Sequence, residues 1–112
     1  MSYDYKKAEE LREAGYPPIV PKGEFYFEWI KYHTYCPNTD QLLMACKNNF
    51  RSLEREDGGW IATHINKDGA ECVNEGDDPT EAMANCWLDM ALEDLVRIDE
   101  NVKKYAKQSR ID

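Results

Sequence analysis

Basic residues are scarce in this chain: fourteen lysines and arginines stand against twenty-two aspartates and glutamates, a formal net charge of −8 over 112 residues. A nucleic-acid binder, or a protein held on an anionic membrane, needs basic surface, so both classes are set aside. Long apolar runs are missing as well. Nothing approaches the roughly 20 residues of a membrane span. The opening Met1-Ser2-Tyr3-Asp4-Tyr5-Lys6-Lys7 also lacks the apolar stretch of a secretory signal, so a cytosolic location is expected. With only 6 glycines and 5 prolines beside a 42% hydrophobic share, the chain reads as neither disordered nor fibrous. At this length roughly two-thirds of the unfolded surface can be buried, which allows one core and one domain over residues 1–112.

Metal-binding knuckles are absent too. The four cysteines, Cys36, Cys46, Cys72 and Cys86, include no pair closer than ten residues, whereas structural zinc sites usually show a C-x2-4-C pair. His33, Cys36, His64 and Cys72 could in principle gather round a metal, but their spacing matches no known pattern. Buried free thiols, and no metal or cofactor, are therefore expected.

What is present is a clear alternation of elements. Residues 3–14 read as a short helix with Tyr5, Ala8 and Leu11 about a turn apart, stopped by Gly15-Tyr16-Pro17-Pro18. From Glu24 to Tyr35 the aromatic residues alternate, Phe25, Phe27 and Trp29 against Tyr26, Glu28 and Ile30, which predicts a strand. A helix follows Pro37, with Asn38 and Gln41 placed as a capping box and Leu42, Leu43, Cys46 and Phe50 as its apolar stripe. Asp57-Gly58-Gly59 and Lys67-Asp68-Gly69 mark two hairpin turns between strands Ser52–Glu56, Trp60–Asn66 and Ala70–Asn74. The register of the first hairpin stays open, and a one-residue slip would exchange the faces of Trp60 and Ile61.

Asp78, Pro79 and Glu81 open the last helix, which runs without Gly or Pro to about Gln108. Leu88, Leu95, Ile98, Val102 and Tyr105 recur on it at heptad spacing, with Ala84 and Ala91. Either the N-terminal helix or a second copy of the chain covers that seam. A homodimer is the expectation, since the N-terminal helix offers few apolar residues. The fold class expected is α+β, a small antiparallel sheet packed by helices in the order α-β-α-β-β-β-α, with a long C-terminal helix.

Residues 37–92 share the α-β-β-β-α order of double-stranded-RNA-binding domains. Where that fold needs phosphate-binding lysines, however, this chain has Asp77-Asp78-Pro79-Thr80-Glu81. The run Gly76 to Ala82 also looks like the strand-to-helix junction of HicB-type antitoxins. A broader resemblance is to small uncharacterised proteins encoded by tailed phages and prophages. It is carried by Leu11-Arg12-Glu13-Ala14-Gly15-Tyr16-Pro17, by Pro37 through Leu42-Leu43-Met44-Ala45-Cys46, and by Phe50-x-x-Leu53 with Gly59-Trp60-Ile61-Ala62. The last and longest match is Gly76-x-x-Pro79-Thr80-Glu81-Ala82-Met83-Ala84-Asn85-Cys86-Trp87-Leu88. Together these cover most of residues 11–92, and the extension from Glu93 to Asp112 departs from the family. The resemblance implies an origin and a fold; it supplies no catalytic residues.

No P-loop, dinucleotide fingerprint, zincin helix or nucleophile elbow occurs. His64 reads as a packing or surface histidine, and Glu54, Glu56 and Asp57 as a solvated hairpin end. Charge is the unusual feature. Between Asp68 and Glu100 eleven acids accompany a single base, Arg97, which leaves that stretch at −10. Asp68, Glu71, Glu75, Asp77, Asp78, Glu81 and Asp89 are thus the expected partner-binding residues. The function expected is that of a non-enzymatic phage protein that binds and inhibits a basic, nucleic-acid-handling host protein, such as a CRISPR effector or another defence component. The alternatives are a ligand- or nucleotide-sequestering dimer with a pocket near Trp29 and Trp60, a HicB-like antitoxin, and an accessory phage protein with no defence role.

Overall fold

Two short turns build the sheet. Asp57-Gly58 joins β1 (Phe50–Glu56) to β2 (Gly59–Ile65), with Gly58 at φ +82°, a backbone state that glycine adopts without steric cost. At the second turn Asn66 Oδ1 accepts from the Asp68 and Ala70 amides, both at 2.9 Å, before β3 (Glu71–Gly76). The three strands form an antiparallel meander in the order β1-β2-β3. These elements belong to a computed structural model that describes residues 4–19, 23–46 and 48–108. Pairing of Glu56 with Gly59 resolves the register: Trp60, Ala62 and His64 share one face, and Ile61, Thr63 and Ile65 the other.

Helix α4 (Pro79–Leu92) covers the Ala62 face. Small residues allow it to sit close: a Cβ on Gly76 would lie 2.3 Å from the Ala82 amide nitrogen. Ala82, Met83, Cys86, Trp87 and Met90 are fully buried there. Tyr16 packs edge-on against Trp87, ring centroids 4.9 Å apart. Helix α3 (Thr39–Cys46) adds Leu42 and Cys46 to the same core, and its Asn38–Gln41 capping box forms as the spacing predicts, with bonds of 2.9 and 2.8 Å.

The α+β class and the three-stranded antiparallel sheet match the expectation, but the observed order is α-α-α-β-β-β-α-α. The N-terminal helix α1 spans Tyr5–Glu13, with Tyr3 outside the described residues. Two assignments need correction. The aromatic segment is a helix, α2 (Tyr26–Tyr32), not a strand. Its buried residues are Tyr26 and Ile30, four apart on one helical face, while Phe25 and Phe27 stand exposed. The end of α2 is met by Arg12 of α1, whose Nη2 donates to the Ile30 and Lys31 carbonyls at 2.9 and 2.8 Å. A guanidinium placed on the last carbonyls of a helix satisfies orphan acceptors and suits the helix dipole.

The long C-terminal helix is two helices. Asp94 takes φ +59°, its amide donates to Ala91 O at 3.3 Å, and the Leu95 amide donates to Met90 O at 3.0 Å. Those two bonds are a Schellman motif, which ends α4. Asp99 then caps α5 (Glu100–Gln108), its Oδ1 accepting from the amides of Asn101 and Val102. The extension's last residues, 109–112, lie outside the described residues. A continuous helix would carry Leu95, Val96 and Ile98 past the end of the core; the break lets them pack against it. The heptad residues are therefore used within the chain. Leu88, Leu95 and Ile98 pack on the main core, while Val102, 3% exposed, and Tyr105 join Tyr26, Ile30 and Trp29 in a second cluster. Of the two covers weighed for the seam, the N-terminal helix α1 does contact α5, and so does α2, which was not among them.

Helix α1 ends in a Schellman motif as well, with Gly15 at φ +90° and bonds of 2.9 Å from Gly15 N to Arg12 O and from Tyr16 N to Leu11 O. A Cβ on Gly15 would meet Ile98 Cγ2 at 2.3 Å. Gly15→Ala should therefore cost roughly 2–3 kcal/mol through strain and overpacking, whereas Asp94→Gly, at the equivalent position of α4, should gain roughly 0.5–1 kcal/mol. Urea unfolding reads both signs. Tyr26 donates its hydroxyl to Asp99 Oδ2, and burial together with that bond pushes its pKa up from 10.0 to about 12. A raised folded-state value means the contribution is complete below pH 10.0 and fades as pH climbs through about 12. Across that window the wild type should lose stability more steeply than Tyr26→Phe, and parallel unfolding midpoints would contradict the assignment.

Candidate functional site

With α4 on one face of the sheet, no helix of the described residues lies over the other. β-pairing places Glu54, Ile61 and Glu75 in one row across the three strands, and Ile65 beside Glu71 in another. Alternation along β1 brings Glu56 to the same side as Glu54. This face therefore carries four exposed glutamates, Glu54, Glu56, Glu71 and Glu75, around a central stripe of half-buried Ile61, Thr63 and Ile65. Val73, 57% exposed, pairs with Thr63 and widens the apolar centre. Arg55 alternates to the opposite face with Trp60, and Arg51 occupies the irregular step between Phe50 and Ser52. The result is an apolar strip rimmed by acids.

At the end of the sheet the acids continue. Glu56, Asp57, Glu75, Asp77 and Glu81 line an open cleft of about 280 Å³ together with Trp60. Acidic walls around an aromatic ring suit a cationic side chain, through Coulomb attraction and contact with the ring.

The sequence-predicted acids separate into groups. Glu71 and Glu75 lie on the open face, Asp68 is exposed in the β2–β3 turn, and Asp77 is exposed at the cleft rim. Asp78 and Glu81 do structural work: Asp78 Oδ1 accepts from the Glu81 amide at 2.8 Å, and Glu81 Oε1 accepts from the Asp77 amide at 2.9 Å. Glu81 is only 8% exposed. Asp89 belongs to neither group; it projects from α4 toward His64, with its carboxylate 3.6 Å from Nε2. Glu54 and Glu56, read from sequence as a solvated hairpin end, join the open face. The signal that could have placed them is the alternation of Ser52–Glu56 combined with a fixed hairpin register.

Cys46 and Cys86 are buried as expected, Cys72 is half-buried and Cys36 is exposed. A hydrogen bond with Cys86, reinforced by burial, pushes the Cys46 thiol pKa up, so it stays protonated. His33 stacks on Trp29 at 5.0 Å, whereas His64 and Cys72 are cross-strand partners. Cys86 Sγ, His64 and Asp89 stand in the order of a nucleophile, base and orienting acid. Cys86 is completely buried, so no substrate can reach its sulfur. The cavity lined by Tyr16, Trp29 and Tyr35 measures about 10 Å³, room for a single water.

Asp78→Ala should lower stability by roughly 1 kcal/mol through loss of the cap. Glu75→Gln, on the open face, should stay within about 0.5 kcal/mol of wild type. Chemical denaturation of the two variants separates the structural acids from the displayed ones. No family model, no curated protein and no solved structure matches this chain.

Proposed function

We propose that this chain is a small non-enzymatic protein that binds a basic, nucleic-acid-handling host protein and inhibits it by occupying a surface meant for phosphates. The single observation behind this reading is the uncovered sheet face, where Glu54, Glu56, Glu71 and Glu75 surround Ile61 and Val73. An apolar centre with a charged rim has the composition of a protein-binding surface: the centre provides desolvated contact area and the rim selects the partner's charge. The acidic cleft beside Trp60 extends the same charge around the sheet end and offers a seat for an arginine or lysine. A phage or prophage origin is supported by the motifs at Gly15, Ala45-Cys46, Gly59-Trp60 and Gly76 to Leu88. Defence against phage relies on nucleic-acid enzymes with basic grooves, and these are the targets such a surface fits.

The test starts with affinity capture from bacterial lysate at low and then high salt, with the eluate identified by mass spectrometry. A nucleic-acid enzyme released by salt is the expected partner. The decisive step uses the purified pair. Glu54→Lys with Glu75→Lys should weaken the complex roughly ten-fold or more, with an unchanged circular dichroism spectrum and relief of inhibition. Unaltered affinity in that double variant would dismiss the open face as the binding surface.

A further inference from the structure

One buried polar atom in the layer between sheet and helix has no partner. His64 is 0% exposed, and its Nε2 makes no hydrogen bond. The other ring nitrogen is occupied: Nδ1 lies 3.5 Å from Cys86 Sγ, and Cys86 Sγ in turn donates to Met90 Sδ at 3.8 Å. A thioether has no proton to give, so the thiol is the donor in the Cys86–Met90 contact, and the tautomer that matches it carries the histidine proton on Nδ1, directed at Cys86. In that tautomer the lone pair sits on Nε2. That lone pair faces another acceptor, Asp89 Oδ2, at 3.6 Å.

Two further ligand-type groups stand beside it. Cys72, the cross-strand partner of His64, brings its sulfur to the same place; the ligand atoms of His64, Cys72 and Asp89 all lie within 4.8 Å of one another. Asn66 Nδ2 donates to Cys72 Sγ at 3.4 Å, and Asn74 Nδ2 approaches Asp89 Oδ2 at 3.5 Å. Both amides hold the ligands from outside. Asn74 Oδ1, on the same face of β3, is a second buried acceptor without a partner. In that tautomer a nitrogen lone pair, a carboxylate and a sulfur converge on one gap, an arrangement that a cation would stabilise.

We propose that His64 Nε2, Cys72 Sγ and Asp89 Oδ2 form a binding site for a divalent transition metal, Zn²⁺ above all, that clamps β2, β3 and α4 together. An imidazole, a thiolate and a carboxylate make a mixed donor set suited to zinc, whereas Ca²⁺ and Mg²⁺ require oxygen ligands throughout. The 3.6 Å between His64 and Asp89 is close to the edge of a tetrahedron with bonds of about 2.0–2.1 Å. Cys86 and Met90 set the histidine tautomer, and Asn66 and Asn74 orient the sulfur and the carboxylate, the roles outer partners take around bound zinc. Binding displaces the Cys72 thiol proton to solvent as the sulfur–metal bond forms. Asp89, 41% exposed, opens the site to solvent, which provides an entry path and a fourth position for water. The pairing of His64 with Cys72 is set by the hairpin, and Asp89 lies three residues from Cys86 on the helix, so the three ligands come from three elements that no sequence motif links.

The test uses the full chain, reduced and stripped of metal with a chelator. Titration with Co²⁺ should produce an intense sulfur-to-cobalt charge-transfer band and tetrahedral d–d absorption, saturating at one metal per chain. Titration with Zn²⁺ should raise the melting temperature. Cys72→Ser and Asp89→Asn, at half-exposed positions that leave the core intact, should each weaken Zn²⁺ binding at least about ten-fold and remove the thermal shift. Cys36→Ser, which alters the exposed thiol, should change neither. Two results would overturn the site. Absence of both the cobalt band and the zinc shift would leave His64, Cys72 and Asp89 as side chains packed together without a metal role. A band that survives Cys72→Ser and disappears in Cys36→Ser would assign the metal to a surface thiol.

Discussion

A three-stranded sheet exposes two faces to solvent unless something covers them, and this chain has one long apolar helix to place over it. Helix α4 takes the face where Ala62 and Gly76 allow close approach, and its Ala82, Cys86 and Met90 are buried against that side. The remaining architecture follows from that seat. Helix α3 and the Tyr16 turn close around Trp87 on the far side of α4, while the second sheet face is left to water. Exposure of that face explains its glutamates, since apolar residues on all three strands there would invite edge-to-face association and aggregation. The open acidic face and the one-layer cover are two consequences of the same shortage of helix.

The N-terminal half is held by the ends of its helices rather than by a large core of its own. Arg12 caps α2, Gly15 O accepts from the Asp99 amide at 2.7 Å, and Asp99 receives the Tyr26 hydroxyl while capping α5. Around this junction Tyr26, Ile30 and Val102 form a small buried cluster, flanked by Trp29 and Tyr105. Hydrogen bonds between helix termini thus do in α1, α2 and α5 what apolar area does in α3, α4 and the sheet. Such a junction depends on polar geometry, and one substitution at Gly15 or Asp99 touches several elements together.

Acidic side chains in this molecule serve three different purposes. Asp4, Asp78 and Asp99 terminate helices by accepting from exposed amides at their N-termini. Glu54, Glu56, Glu71 and Glu75 carry charge on the open sheet face, where nothing but solvent or a partner can meet it. Asp89 reaches from α4 toward the buried His64 while staying 41% exposed, so it meets the ring from the solvent side. The net charge of −8 is a sum over these roles and describes none of them singly.

Local chemistry was enough for the caps, the hairpin turns and the apolar face of α4, because each depends on residues a few positions apart: Asn38 with Gln41, Asp78 with Glu81, Gly58 and Gly69 in their turns. The α+β class follows from those pieces. Other features depended on contacts the one-dimensional pattern does not contain. The aromatic alternation at Phe25–Ile30 fits a strand as well as a helix until Arg12 and Val102 supply partners for the helical face. The heptad run from Leu88 to Tyr105 is continuous in sequence, yet it breaks at Asp94 because burying Leu95 and Ile98 in an existing core outweighs one residue in the left-handed region. Of the candidate surface, the acid-rich composition was legible, and the register that gathers Glu54, Glu71 and Glu75 on one side was not. The approach of His64, Cys72 and Asp89 needed more still: a hairpin to pair the first two and a helix laid across the sheet to bring the third, and packing of that kind is decided only in three dimensions.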